Sequence, residues 1–140
     1  MDGSFADLDD AIRLRPNSAD IFTSRGLTRD KFGDSDGALQ DYSTALRLDP
    51  ELVEAYTNRG IARAREGDLD GALADLNQAV RLHPDDGKNF FNRGAAHEAA
   101  DNLDDALADY NEALPLNPDR TDARSSRDEI RKSIAKRSKS

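Results

Sequence analysis

The chain has 140 residues, of which 36 % are hydrophobic and 34 % charged, and it contains no cysteine. That length supports one domain with a modest core, and the missing thiols exclude disulfides and thiolate chemistry, in keeping with a cytoplasmic protein. The net charge of −8 is uneven: residues 1–119 hold 12 basic and 25 acidic side chains, residues 120–140 hold eight and three, and so acidic a body repels nucleic acid and anionic membranes.

No apolar run approaches the roughly 18 residues of a membrane span, and no apolar leader opens the chain. The first predicted element is a helix over 2–14, in "MDGSFADLDDAIRLRP". The same pattern returns 68 residues later as "LDGALADLNQAVRLHP", with Asp2/Asp70, Gly3/Gly71, Ala6/Ala74, Leu8/Leu76, Ala11/Ala79 and Pro16/Pro84 identical. Pro16, Pro50, Pro84 and Pro118 fall 34 residues apart, which divides the chain into units 19–52, 53–86 and 87–120. Arg25/Arg59/Arg93, Gly26/Gly60/Gly94, Ala38/Ala72/Ala106, Asp41/Asp75/Asp109 and Ala45/Ala79/Ala113 are among the places shared by all three.

Residues 1–18 therefore read as the second helix of an incomplete unit, either cut from a longer array, which is favoured, or serving as a lone N-terminal lid. Phe5, Leu8 and Ile12 form a stripe on it that a neighbouring helix ought to cover. In the middle unit a first helix is predicted over 53–66 and a second over 69–82, capped by Asp68 or Asp70 and stopped before Pro84. Gly60 lies mid-helix, where it costs about 1 kcal/mol against Ala, and so marks a close approach of another helix. In the third unit Pro115 is expected to kink the second helix or stop it early. Residues 121–137 predict a capping helix with Ala123, Arg127, Ile130 and Ile134 on one face, followed by a frayed "KRSKS".

The pattern resembles the tetratricopeptide repeat family over nearly the whole chain. Phe22, Tyr56 and Phe90 meet its aromatic place in the first helix, and Gly26, Gly60 and Gly94 follow four residues later. Ala38–Tyr42–Ala45, Ala72–Leu76–Ala79 and Ala106–Tyr110–Ala113 supply the small–large–small series of the second helix. Arg25, Arg59 and Arg93 depart from the usual Leu, and Arg29, Arg63 and His97 from a common Tyr.

The resemblance implies an all-α fold, a right-handed superhelix of helical hairpins, whose concave groove binds a protein or peptide without catalysis, cofactor or metal. It places Thr23, Leu27, Lys31, Thr57, Asn58, Ile61, Arg65, Lys88, Phe91, Asn92 and Ala95 along that groove. Leu27, Ile61 and Phe91 are expected there as apolar anchors and Asn58 and Asn92 as amides for a peptide backbone. Of the five places with which some family members clamp the carboxylate of chaperone tails, only Asn58 and Lys88 match. Thr23, Leu27 and Asn92 fill the others, which disfavours such a ligand. The alternative function is self-assembly, as a homodimer or filament, through Phe5, Leu8 and Ile12 on the unpaired helix.

Other chemistry finds little footing. "DSDG" and "DLDG" resemble the start of a calcium loop, but Ala38 and Ala72 fill the third ligand place, which favours helix capping. His83 and His97 have no spacing suited to a transition metal. Arg25, Arg59 and Arg93 recur sixteen residues before Asp41, Asp75 and Asp109, a spacing at which the two helices of a hairpin could bring them together; structural pairing is favoured over a row of cations reading an acidic peptide.

Overall fold

The computed structural model describes residues 2–117 and 121–139, with side chains from Phe5 onward. Pro118 and the end of the third predicted unit lie outside that range. Among the described residues there are eight helices: α1 (Asp2–Leu14), α2 (Ala19–Lys31), α3 (Ser35–Leu48), α4 (Val53–Arg65), α5 (Leu69–Leu82), α6 (Gly87–Ala99), α7 (Leu103–Leu116) and α8 (Thr121–Ser138). No helix among them is long and apolar enough to cross a membrane.

Helices α2–α3, α4–α5 and α6–α7 form three hairpins, stacked so that each first helix also packs on the second helix before it. The turn inside each hairpin follows from local chemistry. Gly33 and Gly67 take φ of 84° and 90°, a left-handed conformation that glycine adopts without steric cost. The side chains of Asp34 and Asp68 then accept from the N–H groups of Gly37 and Gly71, each at 3.0 Å, and start the second helix. Asp68 is thus the cap and Asp70 is not. In the third hairpin Asp101 holds the left-handed position, at φ 63°, and Asn102 caps without a side-chain bond.

The small residues let the helices meet. A Cβ built on Gly60 would lie 2.9 Å from Leu76 Cγ and 3.3 Å from the carbonyl oxygen of Ala72, closer than packed atoms tolerate. Ala38, Ala45, Ala72, Ala79, Ala106 and Ala113 are all fully buried. Into that close contact go Tyr42, Leu76 and Tyr110, each at most 1 % exposed, and each contributes roughly 1.5–3 kcal/mol by leaving water.

Two expected early ends are not found at the C-terminal end. Pro115 neither stops nor shortens its helix: α7 runs to Leu116, with the same fourteen residues as α3 and α5. The proline sits in the last turn, where its missing N–H forfeits one bond to the exposed Asn111, while the Asn117 N–H still bonds the Ala113 carbonyl at 2.9 Å. Nor does the helix end before "KRSKS": α8 continues through its first three residues to Ser138, and Ser140 lies outside the described residues. Arg137 holds it there with two bonds to Asp101, of 2.9 and 3.1 Å. Those bonds hold Asp101 below its ordinary acid range and raise Arg137.

Candidate functional site

An arginine–aspartate ladder fixes the relative height of the two helices in every hairpin. Arg25 grips Asp41 through Nε and Nη2 at 3.0 and 2.8 Å, and Arg59–Asp75 and Arg93–Asp109 repeat this at 2.9 and 2.7 Å. The remaining Nη1 reaches back to the preceding second helix, to Asp9 (2.9 Å), Ser43 (3.2 Å) and Asn77 (3.2 Å). A second cation joins in two hairpins, Arg29 at 3.1 Å from Asp41 and Arg63 at 2.9 Å from Asp75. In the third, His97 stands 3.8 Å from Asp109. Bonding to the aspartates raises Arg25 and Arg93 above the ordinary guanidinium range. These cations bond within and between hairpins, as a structural ladder should.

The groove is formed by α2, α4 and α6, which lie side by side. It contains two hollows that meet at Leu27. The first, of about 420 Å³, is lined by Leu27, Val53, Glu54, Thr57, Asn58, His83, Asp86, Lys88 and Asn89. The second, of about 400 Å³, is lined by Leu27, Asp30, Lys31 and Arg65. Leu27 is 37 % exposed, and it lines both hollows.

The structure thus brings Leu27, Thr57, Asn58 and Lys88 together at one hollow and Leu27, Lys31 and Arg65 at the other. The Asn58 amide nitrogen is buried and has no hydrogen-bond partner. Lys31 and Lys88 are exposed. Arg65 is already engaged, bonding Asp30 at 2.7 Å.

Several expected groove residues are placed otherwise. Thr23 is buried and its hydroxyl donates to the Ala19 carbonyl at 3.0 Å. Phe91 is no free anchor: it packs on the core of Ala106, Tyr110 and Ile130, its ring 5.6 Å from that of Tyr110. The reason is α8, which covers this end of the array. Asn92 is half-buried, with an unpartnered amide nitrogen of its own, and lines neither hollow. Ile61 is half-buried and Ala95 exposed, and neither lines a hollow. On α1, the Phe5 ring packs at a tilt against Phe32, 5.6 Å between centroids, while Leu8 and Ile12 stay half-buried.

One contributor has no place in the sequence reading. Asn89 is 2 % exposed, accepts from the Thr57 hydroxyl at 3.3 Å and donates to the Ala79 carbonyl at 3.3 Å, forming the polar floor of the first hollow. Its signal is a break in register: the matching places hold Ile21 and Ala55. Among the described residues no group of three or more acids and histidines could hold a metal.

Stacked hairpins around such a groove define an α-solenoid of the kind that serves as an interaction scaffold. The chain belongs to the tetratricopeptide repeat family, whose profile matches residues 23–87 and, in a second overlapping placement, 57–121. Solved relatives include the first such domain of Spaghetti (RPAP3) bound to an HSP90 peptide, SRMEEVD. That domain is 30 % identical over 84 % of this chain and 94 % of its own, with a TM-score of 0.82. The first domain of human RPAP3 is also 30 % identical, covering 89 % and 98 %, with a TM-score of 0.83. MamA, at 19 % identity, shares the fold over 96 % of this chain and 78 % of its own, with a TM-score of 0.89. No curated protein matches.

Proposed function

We propose that this domain is a non-catalytic scaffold that binds an extended peptide in the groove, seating an apolar side chain against Leu27. The observation that carries this is Leu27 itself, an open leucine on which two hollows converge. Apolar anchors in such hollows supply most of the affinity in peptide recognition, with flanking polar groups fixing direction. Asn58, half-buried in the lining of the first hollow, adds a polar amide beside Leu27, and Lys88 adds a positive charge.

The acidic peptide bound by the Spaghetti domain makes an acidic tail the obvious rival ligand. At the clamp places of this chain stand a buried Thr23, an apolar Leu27 and a neutral Asn92, beside Asn58 and Lys88. A carboxylate would find one cation there, too little to replace its water. An acidic tail is therefore not the preferred ligand.

Selecting peptides from a random displayed library and titrating the winners tests both points. Leu27→Asp and Asn58→Ala should each weaken binding at least about tenfold, or 1.4 kcal/mol, while Gln40→Ala on α3 should not. Equal affinity in all three would overturn the groove assignment. Peptide SRMEEVD, titrated in parallel, should bind weakly; tight binding lost on Lys88→Ala would restore the chaperone-type ligand.

A further inference from the structure

The two terminal helices each carry one half of the contact that the three hairpins complete. In the register of the buried Asp41, Asp75 and Asp109 (2, 3 and 4 % exposed), α1 has Asp7, which is exposed. In the register of Tyr42, Leu76 and Tyr110 it has Leu8, only half-buried. At the other end, α8 docks on α7 as α4 docks on α3 and α6 on α5, so it stands where the first helix of a further hairpin would. Thirty-four residues beyond Arg93 and His97 it carries Arg127 and Arg131, in the register of Arg59 and Arg63. Arg131 is exposed, and Arg127 turns its Nε to its own neighbour Asp128, at 3.3 Å. One end thus holds a ladder carboxylate without guanidinia, and the other holds two guanidinia without their carboxylate.

We propose that copies of this chain associate end to end, α8 of one laid on α1 of the next, with Arg127 and Arg131 of the first gripping Asp7 of the second. Charge selects this arrangement. Residues 2–14 carry four acids and one base, whereas 121–138 carry six bases and three acids. A two-fold α1–α1 pairing would set Asp7 and its acidic neighbours against their own copies, which like-charge repulsion disfavours. The contact is looser than a true hairpin, because Asp128 occupies the place of Gly26, Gly60 and Gly94 and holds Leu8 away. An interface held by charge with little apolar closure is weak, reversible and sensitive to salt. Being head-to-tail, it grows openly and does not stop at a dimer.

Sedimentation velocity and light scattering across a wide concentration range, at low salt, test it. The weight-average mass should climb continuously past the 15.4 kDa monomer and past twice that value, without a dimer plateau, and fall back in high salt. Asp7→Arg should stay monomeric, as should Arg127→Glu/Arg131→Glu. An equimolar mixture of the two should associate again and grow past a dimer, since one junction keeps Arg127 and Arg131 against Asp7 and the other pairs the two substituted ends with their charges exchanged. Circular dichroism and thermal midpoints check that each variant folds, and Asp7→Asn and Arg131→Glu alone repeat the test with gentler changes. A monomer at every concentration would overturn the proposal. So would dimers of Arg127→Glu/Arg131→Glu by itself, or a mixture of folded variants that fails to associate.

Discussion

Asp75 is the ladder position whose loss should hurt most. Its side chain is 3 % exposed and accepts three charge-assisted bonds, two from Arg59 at 2.9 and 2.7 Å and one from Arg63 at 2.9 Å. Asp75→Ala removes the one anion and leaves both guanidinia facing a pocket built for it. Breaking a buried ion pair this way costs about 3–5 kcal/mol. The two arginine side chains keep 17 and 28 % exposure and can recover some hydration, so the lower end applies, about 3 kcal/mol. That is a large part of the ~5–15 kcal/mol that holds a domain together. At roughly 3 °C per kcal/mol for a chain of this size, the midpoint should fall by about 10 °C. Urea denaturation and thermal melting, each followed by circular dichroism, read the two quantities. Asp7→Ala supplies the internal control, since Asp7 holds the same register but is exposed, and should stay within about 0.5 kcal/mol of the parent. A loss below about 1 kcal/mol for Asp75→Ala, or equal losses for the two variants, would refute the structural reading of the ladder.

Gly60→Ala gains about 1 kcal/mol of helix propensity but drives a methyl into Leu76 Cγ and the Ala72 carbonyl; denaturation should show a net loss of about 1–2 kcal/mol, and a gain would contradict the packing. His97→Arg restores the second cation that Asp41 and Asp75 enjoy, and urea denaturation should show a gain in stability of up to about 1 kcal/mol, its partial exposure tempering the gain. Tyr42 and Tyr110 make an opposed pair. Burial raises both hydroxyls above the ordinary tyrosine range, with Asp30 adding to the first and a 2.8 Å bond to Glu98 adding to the second. A raised acid group stabilises the fold fully below its unfolded value, near pH 10, and loses that contribution as pH climbs through the folded value. Alkaline unfolding should therefore begin above about pH 10 and shift upward in either phenylalanine variant. At neutral pH the two diverge. Tyr42→Phe deletes a buried hydroxyl without a partner and should gain up to about 1 kcal/mol, whereas Tyr110→Phe forfeits a bond and should lose about as much. Changes of the same sign would refute that distinction.

The hairpins were legible in the sequence because their physics repeats every 34 residues. Gly60, Ala72, Leu76 and Asp75 each answer a steric or electrostatic demand that recurs unchanged, so three copies of the same residue announce one contact. The groove is legible only in part, for the opposite reason: its residues face water or a ligand, and nothing inside the chain forces their identity. Helical spacing could nominate Leu27, Asn58 and Lys88. It could not show that Arg65 is occupied by Asp30, a contact between α2 and α4 that depends on how adjacent hairpins stack. Phe91 was misread because its role depends on α8, an element outside the three repeats, which converts a groove position into core. The matching residues Thr23 and Thr57 give no hint of that, since both are small, polar and buried.

Departures from register therefore carry what is individual to this protein. Asn89 in place of Ile21 and Ala55 buries an amide beneath the first hollow and ties α4 to α6 through Thr57. A hydrophobic residue there would pack at lower cost, since a buried amide must find partners for both its nitrogen and its oxygen. Here it finds them in Thr57 and the Ala79 carbonyl. The result is a polar floor under Leu27, Asn58 and Lys88, on the one stretch of the groove where an open apolar side chain, an unpartnered amide and an exposed cation converge. Asp128 does the reverse at the end of the array. It sets a charge where three glycines permit tight packing, so a helix laid on that face of α8 would stand further off than within a hairpin. The repeated residues build a rigid scaffold, and these substitutions within the repeat determine where it can be occupied and how firmly.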